Sequence, residues 1–198
     1  MRPDLRDYRL SFTVGGLLLH ESIALAEAWV ESRDWQRVRL SVPDNLFVAS
    51  GGASSASRLR NEAIRRLRTL DDAELVHLAS CPTTDARALC WAAACREYRL
   101  LSDFASQILL DRHHPYAEPI RGADFEMLMD GVDAMDARTA PVSRSTRARL
   151  RSVLFRMLRE GELIDAEGRV LTLPITEELR ALLSRHAVGG LDCIPGGR

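Results

Sequence analysis

Between Ser143 and Glu160 the chain reads SRSTRARLRSVLFRMLRE, a run that can satisfy its apolar residues only as a helix with one buried side. At 100° per residue, Leu150, Val153, Leu154, Met157 and Leu158 fall within an arc of about 140°. Arg144, Arg149, Arg156 and Arg159 fall largely on the other side, with Arg147 and Arg151 on the flank, and no acid precedes Glu160. Such a helix is suited to meet anions. Leu163-Ile164-Asp165, a turn at Ala166-Glu167-Gly168 and Arg169-Val170-Leu171 follow, then a further helical pattern. Helix, short β-hairpin, helix is the order of a winged helix-turn-helix, and it points to nucleic acid.

Composition narrows the remaining chemistry. The net charge is only −1, so the arginine run is local rather than a reflection of a basic chain. All 27 basic residues are arginine. Without lysine, a Walker A phosphate loop, a pyridoxal Schiff base and protein-kinase catalysis are excluded in their usual forms. No apolar run approaches the roughly 18 residues of a membrane span, and the first residues carry no signal-peptide pattern. A cytoplasmic location is expected. Aromatic content of 6% argues against a stacking platform for single strands. Cys81, Cys90, Cys95 and Cys193 lack metal-clamp spacing and read as free thiols in a reducing compartment.

Most of the chain reads as helix, and the expected fold is mainly α. An N-terminal helical bundle over residues 1–115 precedes a C-terminal winged-helix-like domain over 116–198. The boundary lies at His113-His114-Pro115-Tyr116-Ala117-Glu118-Pro119, where two prolines interrupt helical pattern. Ser11–Val14 reads as a short strand or extended lead-in, ended by Gly15-Gly16. Helices are expected over Leu17–Ser32, from Asp34 through Val38, and from about Ser55 to Thr69. Asp71-Asp72-Ala73-Glu74 has the spacing of a capping box. Thr83 or Thr84 is expected to cap the next helix, Ser102 another through Asp111, and Asp124 one to about Met135. Thr176 caps the last helix, with Leu179, Leu182 and Leu183 on one side. Gly189-Gly190 and the terminal Ile194-Pro195-Gly196-Gly197-Arg198 read as a loose tail.

A second basic stretch, Arg58, Arg60, Arg65, Arg66 and Arg68, has Leu59, Ala63, Leu67 and Leu70 as its buried stripe. Arg58 and Arg65 share the opposite face, with Glu62 between them. It reads either as a second backbone contact or as a satisfied surface helix. Gly51-Gly52 lacks the context of a phosphate loop, and adjacent His113 and His114 point apart. Trp29, Trp35 and Trp91 read as packing residues. No nucleophile–base set is recognisable, so no catalytic residue, cofactor, metal or small-molecule substrate is expected.

Three segments carry a family resemblance: Ser11-Phe12-Thr13-Val14-Gly15-Gly16-Leu17-Leu18 with Glu21-Ser22; Leu89-Cys90-Trp91 with Cys95-Arg96-Glu97-Tyr98; and Ser145-Thr146-Arg147 with Val153–Glu160. Spread over about residues 8–170, they make the sequence resemble the BrxA family of BREX phage-resistance systems. The resemblance implies a helical protein with helix-turn-helix character that binds double-stranded DNA and serves a defence distinguishing self from phage DNA by methylation. It implies an N-terminal half similar to the RNA-binding antitermination factor NusB, and supplies no catalytic residues. An inner-membrane label attached to the family conflicts with the absent hydrophobic span. The expectation is a non-enzymatic duplex-DNA-binding accessory, with other BREX proteins as further partners. Arg144, Arg147, Arg149, Arg151, Arg156, Arg159 and Arg169 are the expected contacts, with Arg58 and Arg65 as a second patch. RNA binding through the N-terminal half, or docking of the arginine face on an acidic protein surface, are the alternatives.

Overall fold

The computed structural model describes residues 8, 10–12, 15–47, 53–134 and 142–197. The chain is mainly helical, with α1 (Leu19–Ser32), α2 (Trp35–Ser41), α3 (Ala53–Leu67), α4 (Asp72–Leu78), α5 (Thr83–Glu97), α6 (Arg99–Phe104), α7 (Gly122–Ala134), α8 (Arg144–Glu160) and α9 (Glu177–Leu183). Local signals placed several ends. Asp34 accepts from the Gln36 amide, and Asp71 and Glu74 each accept the other's backbone N–H. Thr176 accepts from the Leu179 amide.

α5 is the centre of the N-terminal packing. Ala86 and every residue from Ala88 to Cys95 are buried, so this helix is apolar all round and enclosed by others. α1, α3, α4 and α6 pack on it. One cluster of buried apolar side chains continues from Tyr8 through α5 and α8 to Ile194.

Buried polar groups bind the elements together in pairs. Glu62 of α3 accepts from Arg66 Nε at 2.8 Å and from the Tyr98 hydroxyl at 2.6 Å, all three being buried. Burial, then the Glu62 carboxylate, pushes the Tyr98 phenol up to about 12. Arg96 donates to both Glu74 oxygens at 2.7 Å and to the Gly189 carbonyl at 2.9 Å. His77 Nε2 lies 2.8 Å from Asp85, which also accepts the Thr176 N–H and hydroxyl at 3.0 and 2.5 Å. That last set fixes the start of α9 to α4 and α5.

Several expectations need correction. The residue capping α5 is Pro82, with no side-chain cap, and Thr83 is already helical. Ser102 lies inside α6, buried, and that helix runs on through a π-helical turn at Ala105–Leu109. Asp124 acts from the third position of α7, accepting the Arg121 N–H at 2.6 Å while pairing with Arg112. The tail is docked rather than loose: Cys193 and Ile194 are buried, and Trp91 Nε1 donates to the Cys193 carbonyl at 2.9 Å. The Leu173 amide donates to the Pro195 carbonyl, and Arg180 donates to that of Gly197. The expected β-hairpin after α8 contains no strand among the described residues. Its two arms meet in one antiparallel bridge between Ile164 and Val170. The proposed strand at Ser11–Val14, the end of α7 at Met135 and the Gly51-Gly52 break fall wholly or partly outside the described residues.

Candidate nucleic-acid interface

α8 is 17 residues long, about 25 Å at 1.5 Å per residue. Ser143 opens it by accepting from the Thr146 amide. Leu150, Val153, Leu154, Met157 and Leu158 are buried, as their spacing requires. Arg144, Ser145, Ala148, Arg149, Ser152, Arg156 and Arg159 are exposed. The helix therefore shows solvent a face of arginines with small residues between them.

Its six arginines divide by what answers their charge. Arg147 is 15% exposed and meets three carboxylates of α7: Asp130 at 2.6 Å, Glu126 at 3.4 Å, and Asp133. Hydrogen bonds to Asp130 and Asp133 raise its guanidinium pKa further above the usual arginine range. Arg151 pairs with Glu126 at 2.7 Å and is partly exposed. Arg149 is exposed and has a contact elsewhere in the chain. Among the described residues no carboxylate pairs with Arg144, Arg156 or Arg159; Arg159 leans on the Phe155 ring, 5.8 Å from its centroid. Arg147 and Arg151 thus hold α8 against α7, and the unanswered charge lies on Arg144, Arg156 and Arg159.

Arg169 sits in the turn after α8, exposed, its backbone N–H on Asp165 Oδ1 at 2.7 Å. This turn is pinned to the start of α7: the Ile120 amide donates to the Gly168 carbonyl at 2.8 Å. Gly168 has φ +91°, and a Cβ there would lie 2.5 Å from the Ile120 carbonyl oxygen, so the approach requires glycine. The turn and the exposed side of α8 are held in one rigid frame.

The second basic stretch is largely consumed within the fold. Arg65 pairs with Glu62 and Glu97 and donates to Tyr98. Arg66 is buried against Glu62, and Arg60 pairs with Asp44. Arg58 is exposed but has a contact of its own, whereas Arg68 is exposed with no ion pair among the described residues. Arg121 is not among the arginines that the sequence singled out. It is exposed at the start of α7, beside the arginine face.

At the far end of α8, Glu160 is exposed yet reaches back to the lead-in of α1. Its carboxylate accepts the Leu17 N–H at 2.5 Å, and the Gly16 carbonyl accepts from Arg66 at 2.7 Å. A carboxylate at a helix C-terminus is electrostatically unfavourable; here it clamps the lead-in to α1. Two of the segments that carry the resemblance, 15–18 and 153–160, meet at this clamp. One group of carboxylates and imidazole, Asp71, Glu74 and His186, has donor atoms within 4.8 Å of one another. Arg96 occupies both Glu74 oxygens, which makes the group an ion-pair network. No helix among the described residues is long and apolar enough to cross a membrane.

The crystal structure of an uncharacterized protein from Magnetospirillum magneticum matches this fold with a TM-score of 0.75, over 96% of this chain and 99% of that one, at 20% sequence identity. At that identity the likeness is one of fold. No curated protein matches the sequence. The BrxA family matches residues 6–187, nearly the whole chain, and the segments singled out above lie inside that span. The chain belongs to the BrxA family.

Proposed function

We propose that this protein is a non-enzymatic, cytoplasmic accessory of a BREX-type phage defence system that binds double-stranded DNA through the exposed face of α8. The observation that carries the reading is the set of Arg144, Arg156 and Arg159 on the exposed side of one helix, with no carboxylate partner among the described residues, and Arg169 exposed in the following turn. Guanidinium groups left unanswered on a rigid surface favour phosphate oxygens. α7 and α8 form the helix pair of a winged-helix-like unit, with α8 as the groove-facing helix and the 165–168 turn as a reduced wing. α8 spans about 25 Å against a major groove about 12 Å wide, so its ends reach the phosphates on both sides. Family membership supports the BREX association.

Fluorescence anisotropy with a labelled duplex across a salt series tests this reading, with RNA and single strands alongside. Four phosphate contacts predict a slope of log affinity against log salt near −4. Replacing Arg156 and Arg159 together by alanine is expected to flatten it by about two units. A wild-type protein that does not bind duplex at low salt, or an unchanged slope in the double variant, refutes the assignment. The use of Arg60, Arg65 and Arg66 inside the fold weighs against RNA binding through α3.

A further inference from the structure

Beside α8 lies a groove of about 390 Å³, walled by the start of α7, the exposed flank of α8 and the 165–168 turn. Arg121, Arg151, Ser152, Phe155 and Arg159 line it, with Glu167 on the side of the turn. Three arginines and a serine therefore line a space with one acidic residue. Among the described residues Arg121 has no ion pair or side-chain hydrogen bond, and Arg159 contacts only the Phe155 carbonyl and ring. Arg151 is held in place by Glu126, a carboxylate it shares with Arg147.

The walls are fixed before any ligand arrives. The Ile120 amide bonds the Gly168 carbonyl at 2.8 Å, and the Arg169 amide bonds Asp165 at 2.7 Å. Gly122 packs so closely on the Arg151 stem that an added Cβ would sit 3.3 Å from its Cδ. A preformed site loses little on binding. The side of the groove made by Ala166 and Gly168 has almost no side chain, which lets an extended backbone approach closely.

We propose that this groove seats one backbone phosphate of a nucleic acid strand, held by Arg121, Arg151 and Arg159. The proposal rests on the DNA reading of α8 and adds to it a residue from outside that helix. Arginine forks suit the tetrahedral oxyanion, and the groove runs into the same face that carries Arg144 and Arg156. The phosphate positions the strand and reads no sequence. Arg121, one element away from α8, would fix the register of the duplex against the reduced wing.

The test uses the full chain, a labelled 20-base-pair duplex and anisotropy over a salt series. Arg121→Ala is expected to flatten the salt slope by up to about 0.9 and to weaken binding by up to about eightfold at 0.1 M salt, the limit set by the one counterion whose release it shares with Arg151 and Arg159. Its thermal midpoint should match the wild type, because Arg121 pairs with no described carboxylate. Arg68→Ala, which removes an exposed arginine just after α3 that has no ion pair among the described residues, should change neither slope nor affinity. Wild-type duplex binding with an unchanged slope in Arg121→Ala overturns the groove assignment alone. Absence of duplex binding by the wild type overturns the DNA reading and this proposal with it. Poly-L-glutamate displacing the duplex at equal charge concentration overturns the phosphate assignment in favour of an acidic protein segment.

Discussion

Replacing Arg147 by methionine separates structural arginines from those available to a ligand. Methionine keeps the apolar stem and removes the guanidinium, leaving Glu126, Asp130 and Asp133 of α7 without their shared partner. The Asp133 pair is the most enclosed, at 15% and 13% side-chain exposure, and a hydrogen-bonded charge pair of that kind contributes about 1.5 kcal/mol. Asp130 is 71% exposed, so solvent screening leaves about 0.5 kcal/mol. Glu126 retains Arg151 and adds little. The variant should lose about 2 kcal/mol, which for a chain of this size lowers Tm by roughly 4–8 °C. Urea unfolding measures the loss directly. Adding Asp133→Asn should restore about 1 kcal/mol, since an amide leaves no charge unanswered. The salt slope of duplex binding should stay at the wild-type value. A loss below about 0.5 kcal/mol, or a slope flatter by 0.9 with stability intact, would refute the division of the α8 arginines.

Gly16→Ala should destabilise by about 1–2 kcal/mol, because the new methyl displaces the Glu160 carboxylate from the Leu17 amide. Glu160→Ala removes the same bond, so urea unfolding of the double variant should show a loss close to that of either single one; full additivity would contradict the clamp. Cys81, whose thiol is pushed up to about 11 by burial and then by Asp85, should alkylate slowly at pH 8. Its thiolate fraction is lower than that of an ordinary thiol by about 200-fold, and the greater nucleophilicity of the more basic thiolate returns about tenfold, for a net rate roughly 20-fold down. The rate should keep rising through pH 10; a plateau near pH 8.5 would show an unperturbed thiol. Because this thiol titrates higher folded than unfolded, its contribution to stability is complete below about pH 8.5 and is lost as pH rises through 11.

Short-range information was legible in the sequence wherever a few neighbouring residues decide the outcome. The capping box at Asp71 and Glu74 and the buried stripe of α8 are set within one or two turns. Arg147 shows how such a reading goes astray. It lies three residues before Leu150 and seven before Leu154, which places it on the buried side of the helix. Its charge kept it among the binding candidates, and only the acids of α7 reveal its use. Arg66 is the same case on α3, matched by Glu62 one turn earlier and by the Gly16 carbonyl 50 residues away. The residues around Ile194 read as a tail because glycine and proline mark loops, yet their partners lie on α5, α9 and the segment before it. Arg121 was invisible for the opposite reason. Nothing near it in sequence is basic, and its neighbours in the groove come from α8 and the turn.

The bond from Trp91 to the Cys193 carbonyl joins residues 102 positions apart, and this fixes an order of events during synthesis. The indole N–H belongs to α5, and its acceptor is made 102 residues later. At about 5–20 residues per second, the ribosome needs roughly 5–20 s to travel from one partner to the other. Over that interval α1 to α6 can gather around α5 while one polar group inside them still faces water or stays unmatched. The indole N–H gains its protein acceptor only when the segment around Cys193 has emerged, so the last polar group of that core is satisfied late.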